Sequence, residues 1–257
     1  MQKYYYIIHV QYLGYRYHGW MHQPKYKTIQ GMVNKTCEFI LGHTDFKTIG
    51  ASRTDAKVSA NKMAFELFLK EPIDAEKFLE EFNYNLPTDI RVLSVEETDK
   101  EFNIINSKST KEYLYFFCLD EKPHPFCASI ITYFKDKIDL ELMKKGAKLF
   151  EGPHNFVRYS CKPTENTIFE REIISAEIVE NDIYTANFFP EKSYAFRVVG
   201  EGFLRYQVRY MMAQLLNLGE GKITLEELKE SLKGNDKSPL RRIAPSSGLM
   251  LNDFRLG

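Results

Sequence analysis

The 257-residue sequence has little of several features that would indicate particular classes of protein. Its four cysteines are widely spaced, and none forms a CxxC pair or a Cys/His cluster with the spacing of metal ligands, so we expect neither a disulfide framework nor a zinc site. No apolar run approaches the length of a membrane span. The apolar stretch near the N-terminus is too short and too interrupted for a signal peptide. We therefore expect a cytoplasmic protein with no membrane partner.

The sequence also lacks an excess of either charge. The 35 Lys and Arg residues balance 35 Asp and Glu residues, and the isoelectric point is near 7.0. A nucleic-acid partner would therefore have to be bound by a local basic surface. Aromatic residues are plentiful, with 16 Tyr and 19 Phe beside one Trp. Exposed aromatic rings can stack on bases, but most aromatic residues build cores, so this count favours nucleic acid only weakly.

Hydrophobic periodicity predicts an α+β fold. Neighbouring strands without intervening helices favour an antiparallel or mixed central sheet with flanking helices over a doubly wound fold. A boundary near residue 107 would give an N-terminal subdomain, 1–106, that carries the loop 48–58, and a C-terminal subdomain, 107–257; one continuous sheet is the alternative. Helices are predicted at 28–41, after Asp74, after Asp139, at 203–218 and after Thr224, and strands at 4–11, 63–69, 90–96, 101–106, 112–119, 172–180, 184–189, 194–199 and 246–255.

The stretch 50–60, GASRTDAKVSA, is the segment most indicative of chemistry. Small residues surround Arg53 and Asp55, and they would let the backbone of another molecule approach closely. In an extended loop both of these side chains could point towards one cleft. Taken alone, the segment fits a solvated turn with a surface ion pair better than a functional site, because short motifs give many false positives.

Seven blocks of sequence, spread over nearly the whole chain, form a common pattern. They are YRYHGW with TIQG, GASRTDAKVSA, NLPTDIRV, KEYLYFF, LFEGPHNFVRYS, GEGFLRYQVRYMM and APSSGLML. In this order they resemble the blocks of the TruA family of tRNA pseudouridine synthases, whose loop motif is G-R-T-D-x-G-V-H-A. The resemblance implies two similar α+β subdomains around a central cleft. It also implies an isomerase that turns uridine into pseudouridine in tRNA with no metal or cofactor.

The resemblance implies roles for individual residues as well. Asp55 would be the nucleophile, attacking either C1′ of the sugar or C6 of the base. Arg209 would be its ion-pair partner and would keep the pKa of that carboxyl low. Tyr113 would pack against the target uracil. Arg53 would help to extrude the nucleotide from its stem, and Arg205 would contact a phosphate.

Three more residues are candidates for substrate binding. Leu249 matches an apolar residue that lines the uracil pocket, although a simple core residue is nearly as good an interpretation. Phe102 opens the segment 102–106, which stands where the family has an RNA-contacting F-x-A-R. Lys57 places a cation where a phosphate could be bound. If the family's glycine at that position has a positive φ, lysine there costs about 1 kcal/mol of strain or reshapes the loop.

The chain departs from the family pattern at five positions, and these departures concern the choice of substrate. Ser52 and Lys57 replace glycines, Ser59 replaces a histidine, Ile105 stands where an arginine contacts RNA, and Asn155 stands where Asp is usual. We expect uridine isomerisation on the 3′ side of the tRNA anticodon stem-loop, at tRNA positions 38–40. A paralogue with the same chemistry on another RNA site is the alternative. The resemblance further implies a homodimer with one RNA spanning both subunits.

Two other classes of function remain open at this level. An RNA-binding module could have kept the fold and lost catalysis, as the altered loop suggests. A hydrolase using Asp55 on a nucleoside lacks a second carboxylate at a recognisable spacing. Other candidates for RNA contacts, for which plain surface charges are the simpler interpretation, are Lys108, Lys111, Lys162, Arg241 and Arg242.

Overall fold

The computed structural model describes residues 4–257, which form ten strands and five α-helices. The α+β class predicted from the sequence is confirmed. The elements in chain order are β1 (Tyr4–Tyr12), α1 (Ile29–Leu41), β2 (Lys47–Gly50), β3 (Ser59–Leu69), α2 (Ala75–Asn85), β4 (Ile90–Thr98), β5 (Ser109–Cys118), β6 (Thr132–Tyr133), α3 (Leu140–Lys148), β7 (Gly152–Asn155), β8 (Glu170–Glu180), β9 (Tyr194–Gly200), α4 (Gln207–Gly219), α5 (Leu225–Glu230) and β10 (Leu249–Leu256).

The contacts between Cα atoms divide the chain into two compact units. The first contains the chain up to Ser109 together with Met250–Gly257, and the second contains Thr110–Leu249. The subdomains expected from the sequence, 1–106 and 107–257, stay a prediction.

The first unit is built on strand β1, which pairs antiparallel with β3 on one side and with β4 on the other. Strand β2 is antiparallel to β3, whereas β10 runs parallel to it, with Met250 opposite Ser59. The two helices of this unit begin at capping side chains, and the cap predicted at Asp74 is confirmed. Thr28 accepts a hydrogen bond from the backbone N–H of Gly31 at the start of α1, and Asp74 caps α2.

The second unit contains a sheet in the order β5–β9–β8–β7, with antiparallel neighbours. Strand β6 is parallel to β5. Helix α4 packs against α3, and nearly all of its residues are buried, so it is apolar around most of its circumference. The helix predicted after Thr224 is confirmed as α5, and Thr224 and Glu227 form a capping box at its start.

Two strands predicted from apolar runs are wrong. Residues 101–106 form a turn, because the carbonyl of Asn103 accepts hydrogen bonds from the N–H groups of Asn106 and Ser107. Residues 184–189 also form turns, where the side chain of Asn181 binds both the N–H and the carbonyl of Tyr184. In both segments an asparagine offers the backbone a local alternative to strand pairing.

Two boundaries also differ from the prediction. The loop 48–58 begins later than expected, because Lys47–Gly50 pairs with β3 as strand β2. Helix α4 begins at Gln207 rather than near residue 203, because Tyr206 has a positive φ of 69°. Within residues 4–257, no helix is long and apolar enough to cross a membrane.

Candidate functional site

The loop between β2 and β3 carries three of the predicted site residues. Its backbone is hydrogen-bonded to the segment that follows β1: Trp20 N–H donates to the carbonyl of Thr54 over 3.2 Å, and Lys57 N–H donates to the carbonyl of Tyr17 over 2.9 Å. These two bonds fix the loop on both sides of Asp55. The loop is therefore an ordered part of the first unit.

Asp55 is half-buried, and its carbonyl accepts a hydrogen bond of 3.2 Å from Val58 N–H, which closes a turn. Arg53 and Lys57, two residues before and after it, are exposed. The structure thus places the predicted nucleophile between two exposed cations of one short segment. This arrangement suits an anionic substrate such as RNA.

Gly19 allows the close approach of the two segments. It has a φ of 86°, and a Cβ built on it would lie 2.5 Å from the carbonyl oxygen of Thr54 and 3.1 Å from the carbonyl carbon of Asp55. A side chain at this position would therefore displace the loop.

Two buried side chains hold the loop ends. The hydroxyl groups of Tyr12 and Thr54 are 2.8 Å apart and hydrogen-bonded. Ser59 is 3% exposed, and its Oγ accepts a hydrogen bond of 3.0 Å from Gly14 N–H. Ser59, one of the departures from the family pattern, thus has a structural role at the start of β3.

Asp89, from the block NLPTDIRV, anchors the segment that supports the loop. Its carboxylate accepts hydrogen bonds from the hydroxyl of Tyr17 over 2.6 Å and from the guanidinium of Arg16 over 2.7 Å, and its carbonyl accepts one from Leu13 N–H. Desolvation opposes ionisation, but these hydrogen bonds outweigh it and lower the pKa of Asp89. The carbonyl of Tyr17 in turn binds Lys57. Sequence reasoning noted this block without identifying Asp89 as a supporting residue.

Lys57 has a positive φ of 67°, so a position where the family motif has glycine does adopt the left-handed backbone here. Its Nζ lies 5.6 Å from the centre of the Tyr15 ring. The structure therefore pairs the strained lysine with an aromatic ring that is 40% exposed.

The segment 102–106 is docked on the sheet of the first unit. Phe102 is half-buried and packs against a cluster that contains Ile7, Ala64 and Ile104. Ile105 is 64% exposed. The buried carboxyl group of Glu66 holds the backbone of this segment: Ile104 N–H donates a hydrogen bond to Oε2 of Glu66 over 3.2 Å.

Glu66 is itself an unusual residue for a strand interior. It is 2% exposed, and its other oxygen, Oε1, has no hydrogen-bond partner among the residues that the structure describes. Burial raises the pKa of this carboxyl, since the charged form is poorly solvated, although the Ile104 hydrogen bond opposes the shift.

In the second unit, Tyr113 lies on β5 opposite Val198 of β9. It is 9% exposed, and its ring meets that of Phe203 edge to face, with centroids 5.1 Å apart. Tyr115, two residues further along β5, is fully buried, and its hydroxyl donates to the carbonyl of Pro245 over 2.7 Å. Tyr115 is thus a core residue of the second unit, and Tyr113 is buried only slightly less completely.

Arg205 and Arg209 flank one aromatic ring. Their guanidinium carbons lie 5.1 Å and 4.9 Å from the centre of the Tyr206 ring. Only Arg209 is in helix α4; Arg205 precedes it, although the predicted helix 203–218 included both. The structure nevertheless keeps the two cations together.

The block APSSGLML binds back to Arg209. The Nε–H of Arg209 donates to the carbonyl of Ala244 over 2.8 Å, and Ala244 N–H donates to the carbonyl of Arg209 over 3.2 Å. The block then turns, with Leu249 N–H donating to the carbonyl of Ser246, and Leu249 is 6% exposed. The orientation of Arg209 is therefore fixed by its own unit.

Two other residues named from the sequence have structural partners. Arg242 forms a two-pronged ion pair with Glu220, with distances of 2.7 Å and 2.8 Å, and the side chain of Glu220 is only 4% exposed. Asn155 donates to Oε1 of Glu170 over 2.8 Å, a contact that an aspartate could not make. No group of three or more His, Cys, Asp or Glu residues that could hold a metal ion occurs in the described part of the chain.

The chain is similar to known enzymes over almost its whole length. Residues 147–255 match the family model of tRNA pseudouridine synthase. The tRNA pseudouridine synthase A of Thermodesulfovibrio yellowstonii is 30% identical over 250 residues, which cover 94% of this chain and 95% of that protein. The tRNA pseudouridine synthase A 2 of Desulfotalea psychrophila is 31% identical over 260 residues, which cover 96% of this chain and 97% of that protein.

The α+β fold and this similarity define the class of the protein: it is an isomerase that converts uridine to pseudouridine in tRNA. The chain belongs to the TruA family of tRNA pseudouridine synthases, and the family expected from the seven sequence blocks is confirmed.

Proposed function

We propose that Asp55 is the nucleophile of this isomerase and that the target uridine lies on the 3′ side of the tRNA anticodon stem-loop. The observation that carries the first part is the fixed loop around Asp55. Backbone hydrogen bonds from Trp20 and Lys57 hold it on both sides, and Gly19 leaves room beside it. A nucleophile held in place loses less entropy when it meets the substrate.

The reaction needs one bond to break and another to form between the same two rings. The glycosidic bond between N1 of uracil and C1′ breaks, the base rotates, and a bond forms between C5 and C1′ while C5 loses its proton and N1 gains one. The carboxylate of Asp55 would form a covalent bond with C1′ or with C6 and be released when the new glycosidic bond is complete. Either atom is compatible with the proposal.

The other predicted residues have supporting roles in the proposal. Arg209 would be the cation beside the ionised nucleophile, and its contacts with Ala244 and Tyr206 support this role because they fix its orientation. Tyr113 would pack against the uracil, with its ring held by Phe203. Arg53, exposed in the nucleophile loop, would help to extrude the nucleotide.

Four further residues would contact the substrate in this proposal. Arg205 would bind a phosphate, and its position on the Tyr206 ring supports the role by keeping the cation at the surface of the unit. Leu249 would line the uracil pocket. Phe102 and Lys57 would contact RNA from the first unit.

A tritium-release assay tests the nucleophile. Transcribed tRNA with tritium at C5 of uracil loses the label when C5 bonds to C1′, so wild-type protein should release it. The Asp55→Asn variant should lower the rate by more than about 1000-fold, because removing a nucleophile eliminates the covalent route. Asp45→Asn is the matched control, since Asp45 is exposed in the same unit and forms an ion pair with the exposed Lys70. Full release by Asp55→Asn would exclude Asp55 as the nucleophile.

Mapping of pseudouridine in the reacted tRNA tests the target site. Product on the 3′ side of the anticodon stem-loop supports the proposal. Pseudouridine at another position would identify a paralogue with the same chemistry. This outcome is tested because Ser59 and Ile105, in segments proposed to contact the substrate, depart from the family pattern. Binding of tRNA and ribosomal RNA without any tritium release would favour a non-catalytic RNA-binding protein.

We further propose that the enzyme is a cytoplasmic homodimer with one tRNA bound across both subunits. Two modest basic surfaces would then act together, which suits a chain of zero net charge. Sedimentation equilibrium would test this: a dimer has twice the mass of the 30.1 kDa chain. A particle of one chain mass that retains full activity would contradict it.

A further inference from the structure

The beginning of the chain is free of carboxylates. The first acidic side chain is Glu38, although acids and bases are equal in number over the whole sequence. The basic side chains that precede it are Lys3, Arg16, Lys25, Lys27 and Lys35. This stretch of sequence therefore carries a net positive charge, which favours contact with a polyanion wherever its cations are exposed and unpaired.

Aromatic rings alternate with these cations in the segment 14–27. Tyr15 is 40% exposed and Tyr26 is 53% exposed. The ring of His18 lies against that of Tyr26, with centroids 4.6 Å apart and planes inclined by 33°. Lys27 places its Nζ 4.8 Å from the centre of the Tyr17 ring. Tyr17 is buried, so the exposed rings near these cations are those of Tyr15, His18 and Tyr26. Exposed rings beside cations are a combination that binds unpaired nucleotides.

The nucleophile loop adds one more cation to this surface. Lys57 lies over the ring of Tyr15, and its N–H binds the carbonyl of Tyr17. Arg16 is engaged by Asp89, whereas neither Lys27 nor Lys57 forms an ion pair with any of residues 4–257. The charge of Lys57 is therefore available to a ligand, two residues from Asp55.

The backbone at Lys57 gives an independent reason to assign it a function. Its φ of 67° belongs to the left-handed region, where a lysine is strained and a glycine is not. The family motif has glycine at this position. Strain of this kind persists mainly where the side chain contributes to function. Together with the Tyr15 contact, this distinguishes Lys57 from an ordinary surface lysine.

We propose that Tyr15 and Lys57 form a nucleotide subsite beside the target uridine. The ring of Tyr15 stacks on an unpaired base of the same RNA strand, and Lys57 binds a phosphate next to that base. His18 and Tyr26 extend the stacking surface. The subsite rests on the proposed function, because it takes the loop of Asp55 as the place where the uridine reacts.

Equilibrium binding of unmodified tRNA transcript to the full-length chain tests the subsite without requiring turnover. Lys57→Gly should weaken binding several-fold and reduce the slope of log affinity against log salt by about 0.7–0.9, the change expected for one lost phosphate contact. Its melting temperature should not fall, because glycine relieves the strained φ. Tyr15→Ala should weaken binding by about tenfold, and Tyr15→Phe, which keeps the ring, should restore it.

Lys77→Ala is the matched charge control. Lys77 is exposed on helix α2 of the same unit, outside the proposed subsite, and it forms an ion pair of 3.9 Å with Glu81. This variant should bind tRNA as the wild type does. In the tritium-release assay, the Tyr15 and Lys57 variants should raise KM for tRNA more than they lower kcat.

Three results would overturn the subsite. They are wild-type affinity in both Lys57→Gly and Tyr15→Ala, an equal loss of affinity in Lys77→Ala, and no recovery in Tyr15→Phe. Failure of the proposed function is a separate outcome. It would be detected as tritium release by the Asp55→Asn variant, and it would not change the binding measurements.

Discussion

Replacing Gly19 by alanine should disturb the nucleophile loop without changing the side chain of any proposed catalytic residue. The added methyl group would lie 2.5 Å from the carbonyl oxygen of Thr54, which is far inside van der Waals contact. The methyl carbon is bonded directly to the backbone, and the carbonyl oxygen is part of it. No side-chain rotation can therefore relieve the overlap. The loop or the segment around Trp20 must shift, and the hydrogen bond from Trp20 N–H to Thr54 is weakened.

The free energy of this change has two parts. Gly19 has a φ of 86°, and an alanine in the left-handed region costs about 1 kcal/mol. Overlap in a packed region adds about 1–3 kcal/mol. We therefore expect Gly19→Ala to lower the free energy of unfolding by about 2–4 kcal/mol. Typical domains have about 5–15 kcal/mol in total, so the variant should still fold.

Gly42→Ala separates the two parts. Gly42 ends helix α1 with a φ of 72°, but no atom lies within 4 Å of a Cβ built there. This variant should lose only the conformational part, about 1 kcal/mol. Urea denaturation measures both free energies of unfolding, and tritium release measures kcat. We expect kcat to fall by about tenfold or more in Gly19→Ala, as for other small displacements of catalytic groups, and to be retained in Gly42→Ala. Equal free energies of unfolding and equal kcat values in Gly19→Ala and Gly42→Ala would contradict this prediction.

Three further predictions concern buried polar groups. Tyr12→Phe removes the hydrogen bond to the Thr54 hydroxyl, so the free energy of unfolding measured in urea should fall by about 1–2 kcal/mol, with a smaller loss of kcat than in Gly19→Ala. Glu66→Gln keeps an oxygen for Ile104 but cannot ionise. Because burial raises the pKa of Glu66, the wild type loses stability as pH rises above the usual value of 4.5, and the melting temperature of the variant relative to wild type should be higher at pH about 8 than at pH about 5. Arg242→Ala leaves the buried carboxylate of Glu220 with a weaker set of partners and should lower the free energy of unfolding at neutral pH by about 1–3 kcal/mol without changing tRNA affinity. Hydrogen bonds from Arg242 lower the pKa of Glu220 against the effect of desolvation, so this loss should shrink as pH falls through the carboxyl range.

Each of these predictions has a clear contrary result. An unchanged free energy of unfolding in Tyr12→Phe would mean that the Thr54 hydroxyl finds another partner. A pH-independent difference for Glu66→Gln would mean that Glu66 has an ordinary pKa. A weakened tRNA affinity in Arg242→Ala would assign that arginine to RNA binding as well as to the ion pair with Glu220.

Much of the candidate site could be predicted from the sequence because it is encoded in short blocks. The loop GASRTDAKVSA identified Arg53 and Asp55, and the structure places both in one ordered segment. Arg205 and Arg209 were also candidates, and the structure brings both guanidinium groups to the ring of Tyr206. The roles of these residues in catalysis stay predictions.

The supporting residues could not be predicted in the same way. Asp89 acts on Tyr17 from 72 positions away, and Glu66 holds Ile104 from 38 positions away. Neither residue has a local pattern that reveals its partner. Ser59 was read as a departure from a motif, whereas its buried hydroxyl binds Gly14 across the loop.

The sequence by itself determined the class of fold, most helices and strands, and the family. These features depend on apolar periodicity, on capping residues such as Thr28 and Asp74, and on contiguous motifs, all of which act over a few neighbouring residues. Only the tertiary structure decided that β10 lies parallel to β3, that Lys57 has a left-handed backbone, and that a carboxyl group is buried at Glu66. These features depend on contacts between residues far apart in the chain, where packing and hydrogen bonding outweigh local preference.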